Sequence, residues 1–303
     1  MVKKTNSKMQ ISKVNEVYLH LEVDSGLGRE LADYFTFEVP GAKFMPIYKK
    51  RIWDGKIRLY SQQTGKIYSG LLPYLKQFCS RNSIDYIIEE GVEDDRNVVH
   101  KDVRAFTESL RPQSKGTQLE IRDYQINAIL HSLRKHRSLI VSPTASGKSL
   151  IIYTLIRYYN LLLKDKKILI LVPTTSLVEQ MYSDFIDYGW NDRYIHRIYS
   201  GHERTTEKNV IVSTWQSLYK LPKKYFEDFG CIIGDEAHLF KAKSLTSILT
   251  KLENCKYRHG FTGTLDGTQT HRLILEGLFG SVEKVVSTKD LIDKKTLAKL
   301  TIK

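Results

Sequence analysis

The chain of 303 residues is 41% apolar and 27% charged, enough for about two packed domains, which excludes a short peptide and an unfolded chain. Forty-seven Lys and Arg against 34 Asp and Glu leave a formal charge of +13, suited to a phosphate-bearing partner or an anionic surface. No run nears the ~18 consecutive apolar residues of a spanning helix, and residues 1–12 lack the apolar stretch of a secretory signal, which argues against a membrane partner and against export.

In chain order, Val17, Leu19, Leu21 and Val23 alternate with polar neighbours and predict a half-buried strand, after which Ser25 predicts the cap of a helix running to about Phe35. Asp54-Gly55 predicts a hairpin turn into a strand over 56–60, and Gln63-Thr64-Gly65 a second turn. A helix over 72–81 and a strand over 86–89 complete a small α+β domain over 1–105. The acidic stretch 89–97 and the polar stretch 111–117 mark a boundary, with a linker expected over 106–118. Beyond Leu119, continuous apolar runs at 139–141, 168–172, 210–212 and 231–233 alternate with helical stretches. Continuous runs are what strands covered on both faces require, so a doubly wound α/β domain with a mainly parallel sheet is expected over 119–303. Residues 1–105 hold 17 Lys and Arg against 14 Asp and Glu, and 106–303 hold 30 against 20, so most of the excess charge lies in the larger domain. Cys79, Cys231 and Cys255 are odd in number and far apart, which excludes a disulfide framework or paired zinc ligands and predicts a reducing, cytoplasmic setting.

The segment Ser142-Pro143-Thr144-Ala145-Ser146-Gly147-Lys148-Ser149 follows one apolar run and precedes a helical pattern over 150–163. That is the context of a phosphate-binding loop. Backbone N–H groups of Thr144, Ala145, Ser146 and Gly147 would cradle phosphates, Lys148 would neutralise them, and Ser149 would offer its hydroxyl to Mg2+. Ser142 stands where the general G-x-x-x-x-G-K-[ST] pattern has its first glycine, and an ordinary glycine turn before a helix is the plain alternative. Asp235-Glu236-Ala237-His238, 87 residues beyond Lys148 and directly after the run at 231–233, answers that alternative. Asp235 is expected to hold Mg2+ and Glu236 to orient and deprotonate the attacking water, so that Lys148, Asp235 and Glu236 carry ATP hydrolysis with ATP and Mg2+ bound.

On these residues the chain resembles the superfamily-two helicases and translocases, with the DEAH spelling of the magnesium-binding motif. Further segments match in the family's order: Arg122-Asp123-Tyr124-Gln125, Val172-Pro173-Thr174-Thr175-Ser176-Leu177-Val178 with Gln180, Ser213-Thr214-Trp215-Gln216-Ser217, and Phe261-Thr262-Gly263-Thr264. The resemblance implies a RecA-like P-loop domain in which Gln125 reads the adenine edge and Thr174, Thr175, Gln180 and Thr214 contact nucleic acid. It also implies that His238, Thr262 and Thr264 couple hydrolysis to movement along the strand. From the residues alone, Thr174 and Thr175 equally fit a helix cap, Trp215 a core position, and His238 an interior histidine.

Phe44-Met45-Pro46 and the run from Lys49 through Trp53-Asp54-Gly55 to Leu59 are similar to the start of UvsW-type helicases of T-even-like bacteriophages. That resemblance implies an ATP-dependent helicase acting on branched or single-stranded DNA in the host-cell cytoplasm: recombination intermediates, stalled forks and RNA–DNA hybrids. Physically, Lys50, Arg51 and Arg58 are candidate phosphate contacts, with Trp53 and Tyr60 as candidate stacking surfaces, and a solvated basic face is the alternative. Thirty-nine residues follow Thr264, whereas the family carries a second RecA-like domain of about 150 residues with an arginine finger. That domain is the expected partner, in a longer chain or in trans. Two rival readings remain open: an RNA helicase of the same superfamily, and a non-catalytic DNA-binding or annealing module switched by ATP.

Overall fold

The computed structural model describes residues 8–143, 146–201, 203–239, 242–265 and 269–286. The chain forms two compact units: Met1–Asp94 with Gly267–Ser281, and Asp95–Asp266 with Val282–Lys303. Among the described residues no helix is long and apolar enough to cross a membrane, and the three cysteines are free and buried.

The first unit begins with β1 (Lys8–Lys13) and β2 (Tyr18–Glu22), an antiparallel pair whose alternation buries Met9, Ile11, Leu19 and Leu21. Next come α1 (Ser25–Tyr34), β3 (Thr36–Glu38), α2 (Pro46–Lys49), β4 (Lys56–Arg58), β5 (Tyr60–Ser61), β6 (Lys66–Tyr68), α3 (Leu72–Asn82) and β7 (Asp85–Ile88). Five of these strands form a mixed sheet in the order β5-β6-β2-β1-β7, with β7 parallel to β1. The cap of α1 is Asp24 rather than Ser25, because one carboxylate oxygen accepts from both Gly26 N at 2.8 Å and Leu27 N at 2.9 Å.

Asp54-Gly55 does not make the expected tight hairpin. Strand β4 pairs instead with the distant β3, and the long loop between them is closed by Val39 N donating to Gly55 O at 2.8 Å. Gly55 is needed for close packing: its φ is +80°, and a Cβ there would lie 3.0 Å from Ala42 Cβ and 3.1 Å from the Tyr48 ring. The tight turn lies at Gly65, between β5 and β6, as the second turn signal predicts.

The second unit opens with α4 (His100–Ser109) and the short hairpin of β8 (Gln113–Ser114) and β9 (Thr117–Gln118). The expected linker at 106–118 is therefore structured, its Ser114 Oγ and Lys115 N tied to Asp187 at 2.9 and 3.0 Å. The chain continues through α5 (Asp123–Lys135), β10 (Arg137–Val141), α6 (Lys148–Leu162), β11 (Lys167–Val172), α7 (Thr175–Asp187), β12 (Ile195–Ile198), β13 (Val210–Thr214), α8 (Trp215–Leu218), β14 (Phe229–Gly234), α9 (Ala242–Leu249) and β15 (Tyr257–Thr262). After α10 (Gln269–Phe279) it returns as β16 (Val282–Lys284). Seven strands form a parallel sheet in the order β12-β13-β11-β14-β15-β10-β16, the α/β architecture that the apolar runs imply. Ile168 to Val172 are wholly buried.

Strand β15 had no apolar-run signal because its core positions are polar but satisfied. Arg258, with no exposed surface, donates to Leu249 O at 2.6 Å and Leu252 O at 3.0 Å. His259 sits between Ser138 Oγ at 2.9 Å and Tyr159 Oη at 2.8 Å, and burial pushes its imidazole down to about 3, so it stays neutral.

Two expected boundaries shift. The second unit starts at Asp95, and α10, expected within the 119–303 domain, belongs to the first unit, where Leu273, Leu275, Leu278 and Phe279 are buried. A chain starting at Asp95 should therefore expose that apolar helix face, bind the dye ANS and unfold at lower temperature than the whole chain. An unchanged melting temperature without ANS binding would show that α10 needs no cover from residues 1–94.

Candidate nucleotide site and nucleic-acid surfaces

The sheet order places the carboxyl ends of β14, β15 and β10 side by side, which brings together residues far apart in sequence. Strand β10 leads into the phosphate-loop segment, β15 ends at Thr262, and β14 delivers Asp235 and Glu236. Of the loop residues, Thr144 and Ala145 lie outside the described residues. Ser142, in the place of the first glycine, is buried, with its Oγ 2.6 Å from Ser146 Oγ and its N–H donating to Thr262 O at 2.9 Å. Gly147 has φ +78°, and a Cβ there would lie 2.2 Å from Gln125 Nε2. Only glycine combines that backbone with that approach.

Gln125 is 3% exposed and both ends of its amide are engaged: Nε2 donates to Ser146 O at 2.9 Å and Oε1 accepts from Arg122 N at 2.9 Å. Tyr124 Oη donates to the same Ser146 carbonyl at 2.9 Å. In this structure Gln125 braces the phosphate loop.

Lys148, at the start of α6, reaches between the two carboxylates. Its Nζ lies 3.0 Å from Asp235 Oδ1 and donates to Glu236 Oε1. Burial works against the charge on Lys148, yet the two carboxylates outweigh it and hold the ammonium above its ordinary pKa. Burial pushes the Asp235 carboxyl above the usual carboxylate range, with Lys148 opposing the rise. Glu236 adopts φ +50°, a left-handed conformation costly for a side-chain-bearing residue, and its N–H donates to Asp235 Oδ1 at 2.9 Å.

Beyond the carboxylates, Glu236 Oε2 lies 3.4 Å from His238 Nδ1, which lies 2.7 Å from Thr262 Oγ1, which donates to Thr264 O at 2.5 Å. Lys148, Glu236, His238, Thr262 and Thr264 thus form one continuous polar chain, Thr264 entering through its backbone carbonyl. Ser149, the other expected magnesium residue, lies beside Asp184 of α7, where its hydroxyl opposes the upward push that burial exerts on the Asp184 carboxyl. Asp235 stands beside Lys148 of the phosphate-loop segment. Among the described residues no cluster of three or more His, Cys, Asp or Glu is arranged around a metal. A phosphate-bound Mg2+ needs none, since phosphate oxygens and waters supply most of its ligands.

The expected strand contacts divide. Thr174 and Thr175 at the start of α7 and Gln180 on it are exposed. Thr174 also caps the helix, its Oγ1 accepting from Leu177 N at 3.3 Å. Thr214 is only 4% exposed and is bonded to Ser217 Oγ at 2.9 Å, so its hydroxyl does not face solvent. Gln216, beside it, is exposed and donates to Pro173 O at 3.2 Å, joining the two segments.

On the first unit, Lys50 and Arg51 are exposed. Arg58 is held by Asp54, Nη2 to Oδ2 at 2.5 Å, which pulls the Asp54 carboxyl down to about 2 and occupies the guanidinium. Tyr60 is 3% exposed and cannot stack on a base, and the Trp53 indole N–H is committed to Lys56 O at 2.9 Å. The exposed apolar groups of this loop are Phe44 at 82% and Ile52 at 73%. Sequence reasoning passed over them because the exposure of each residue here depends on how the long loop folds back.

Replacing Lys148 by Met should leave Asp235 buried without a counter-charge, costing about 3 kcal/mol at pH 7. An acid with a raised native pKa binds protons more readily folded than unfolded, so its contribution falls as pH rises through the window above the ordinary carboxylate value. The deficit should therefore shrink between pH 7 and pH 4.5 in urea unfolding. An equal deficit at both would mean that Lys148 does not neutralise Asp235.

Residues 118–267 match the family model of the type III restriction enzyme res subunit, and residues 8–89 match that of the N-terminal part of the DNA helicase UvsW. The ATP-dependent DNA helicase uvsW of Enterobacteria phage T4 is 34% identical over 295 residues, 94% of this chain and 57% of its own length. The DNA 3'-5' translocase XPB2 of Sulfurisphaera tokodaii is 28% identical over 244 residues, 78% of this chain and 49% of its own. The chain thus spans about half the length of these relatives. A crystal structure of the UvsW helicase from bacteriophage T4 superposes with a TM-score of 0.84 at 32% identity, covering 91% of this chain and 99% of that one. With the two domain families in that order and that crystallised chain matched almost throughout, the chain belongs to the UvsW helicase family.

Proposed function

We propose that the chain is the nucleotide-binding and DNA-recognising part of an ATP-dependent DNA helicase. Its substrates are branched DNA, namely recombination intermediates, stalled forks and RNA–DNA hybrids, in phage recombination, repair and replication. The observation that supports this best is Lys148 held between Asp235 and Glu236 at the carboxyl ends of neighbouring parallel strands. In that arrangement Lys148 turns to the phosphates of ATP, Asp235 and Ser149 hold Mg2+, and Glu236 takes the proton of the attacking water. Mg2+ supplies charge neutralisation at the phosphates. The polar chain through His238 to Thr262 and Thr264 then senses whether Glu236 is paired with Lys148 or released. A second RecA-like domain, in a longer chain or in trans, completes the reaction with an arginine finger, worth about 10³–10⁵ in rate in related systems.

The exposed segment from Lys43 to Trp53 carries four cations and no acid, which supports strand binding by the first unit. Lys50 and Arg51 take phosphates, while Phe44 and Ile52 offer apolar faces to unpaired bases at a branch. Replacing Lys50 and Arg51 by Ala should lower the slope of log affinity against log salt for forked DNA by about 2. Arg58→Ala should leave the slope unchanged, because Asp54 already occupies that guanidinium. Equal slopes for the parent and the double variant would reduce the segment to a solvated basic face.

In a protein that includes the second RecA-like domain, Glu236→Gln should keep ATP and DNA binding and lose at least a hundredfold in DNA-stimulated hydrolysis, since general-base catalysis typically contributes about 10²–10⁴. Unaltered turnover would remove Glu236 from catalysis. The same assay with forked DNA, single-stranded DNA and RNA tests the substrate class, and stimulation by RNA alone would replace the DNA reading with an RNA helicase.

A further inference from the structure

Helix α10 lies in the chain between Thr264 and β16, yet it belongs to the first unit. It is entered from the end of β15, where Thr262 holds His238 and the Thr264 carbonyl. It is left through β16, which pairs with β10 up to Val141↔Lys284, with Val285 N donating to Val141 O at 3.1 Å. Val141 directly precedes Ser142, the first residue of the phosphate-loop segment. The segments on both sides of α10 are therefore anchored in strands whose carboxyl ends build the nucleotide site.

The body of α10 has a specific seat within the first unit. A Cβ on Gly70 would lie 2.0 Å from Glu276 O, and a Cβ on Gly277 would lie 3.0 Å from Tyr68 Cβ, so the turn after β6 and the helix meet with almost no side chain between them. Glu276 is 2% exposed, and both of its oxygens accept from Tyr74 Oη, at 3.0 and 3.1 Å. Arg272 Nε adds a third hydrogen bond at 2.6 Å, which offsets the cost of burying the carboxylate. Close-packed contacts of this kind shift between discrete arrangements and do not yield smoothly.

We propose that α10 is a coupling element that ties nucleotide occupancy of the phosphate loop to nucleic-acid affinity of the first unit, with Gly70, Tyr74 and Glu276 as its positioning residues. A nucleotide that moves the end of β10 pulls, through the paired β16, on the carboxyl end of a helix whose body is seated in the first unit. That unit carries Lys50, Arg51 and Phe44. The inference rests on the nucleotide and DNA binding proposed above and adds the path between them. Coupling of two binding equilibria is reciprocal, so forked DNA must change nucleotide affinity by the factor by which nucleotide changes DNA affinity.

The test titrates the whole chain with a labelled forked DNA and a non-hydrolysable ATP analogue with Mg2+, each alone and each with the other saturating. The expected result is a shift of about fivefold or more, equal in both directions, in the parent. Gly70→Ala, which forces Glu276 away, and Tyr74→Phe, which removes only a hydroxyl, should bring both factors toward one while each single-ligand affinity stays within about twofold, since neither position touches a ligand. Tyr74→Phe keeps the test decisive if Gly70→Ala does not fold. Parent-like factors in a folded variant, or a parent that binds both ligands without coupling, would overturn the inference. Failure of the parent to bind one ligand alone would instead remove the proposed function, and the coupling with it.

Discussion

A half-buried ammonium shared by two carboxylates is the constraint around which the second unit is organised. Asp235 is almost wholly buried, and Lys148 opposes the cost of keeping its carboxylate charged there, while the more exposed Glu236 shares the same ammonium. Phosphates compete for the same ammonium. In the function proposed above, Lys148 would turn to them and Asp235 would need another cation, so nucleotide and magnesium binding would share an electrostatic origin. Glu236, held at φ +50°, would be released from its ion pair by the same exchange, with His238 and Thr262 bonded in series beyond it.

That constraint is met only because a parallel sheet aligns the ends of β10, β15 and β14. Strand β15 runs between the strand that leads to the phosphate loop and the strand that delivers the carboxylates. It is fastened internally by polar groups: Arg258 binds the carbonyls of Leu249 and Leu252, and His259 bridges Ser138 and Tyr159. Buried polar groups with complete partners fix one arrangement more narrowly than apolar packing does, which suits a strand that must hold Thr262 against His238.

The first unit obeys a different logic. Its mixed sheet is small, and part of its core is lent by α10, a helix that the chain supplies only after the nucleotide motifs are complete. The loop between β3 and β4 engages the Trp53 indole N–H and leaves Phe44 and Ile52 exposed, so its cations surround an apolar tip. The unit is built by two separate stretches of chain, and it cannot be removed as a contiguous N-terminal piece without stripping α10 of its partners.

Local physical chemistry made much of this readable from the residues in order. Continuous apolar runs identified β10, β11, β13 and β14, since strands covered on both faces leave no room for alternation. The strand-loop-helix setting of Gly147-Lys148-Ser149 and the strand-end position of Asp235-Glu236 marked out the candidate nucleotide site, because charge chemistry of that kind is written in adjacent residues. What depended on distant partners was not readable. Gln125 turned to the phosphate loop because Gly147 leaves room for its amide. Tyr60 and Thr214 became buried, Arg58 was taken up by Asp54, and the Asp54-Gly55 signal was overridden by pairing of β3 with β4. Strand β15 and the allegiance of α10 were decided last, by hydrogen bonds to Arg258 and Glu276 and by the fit of Gly70 against a helix more than half the chain away, contacts that no local pattern encodes.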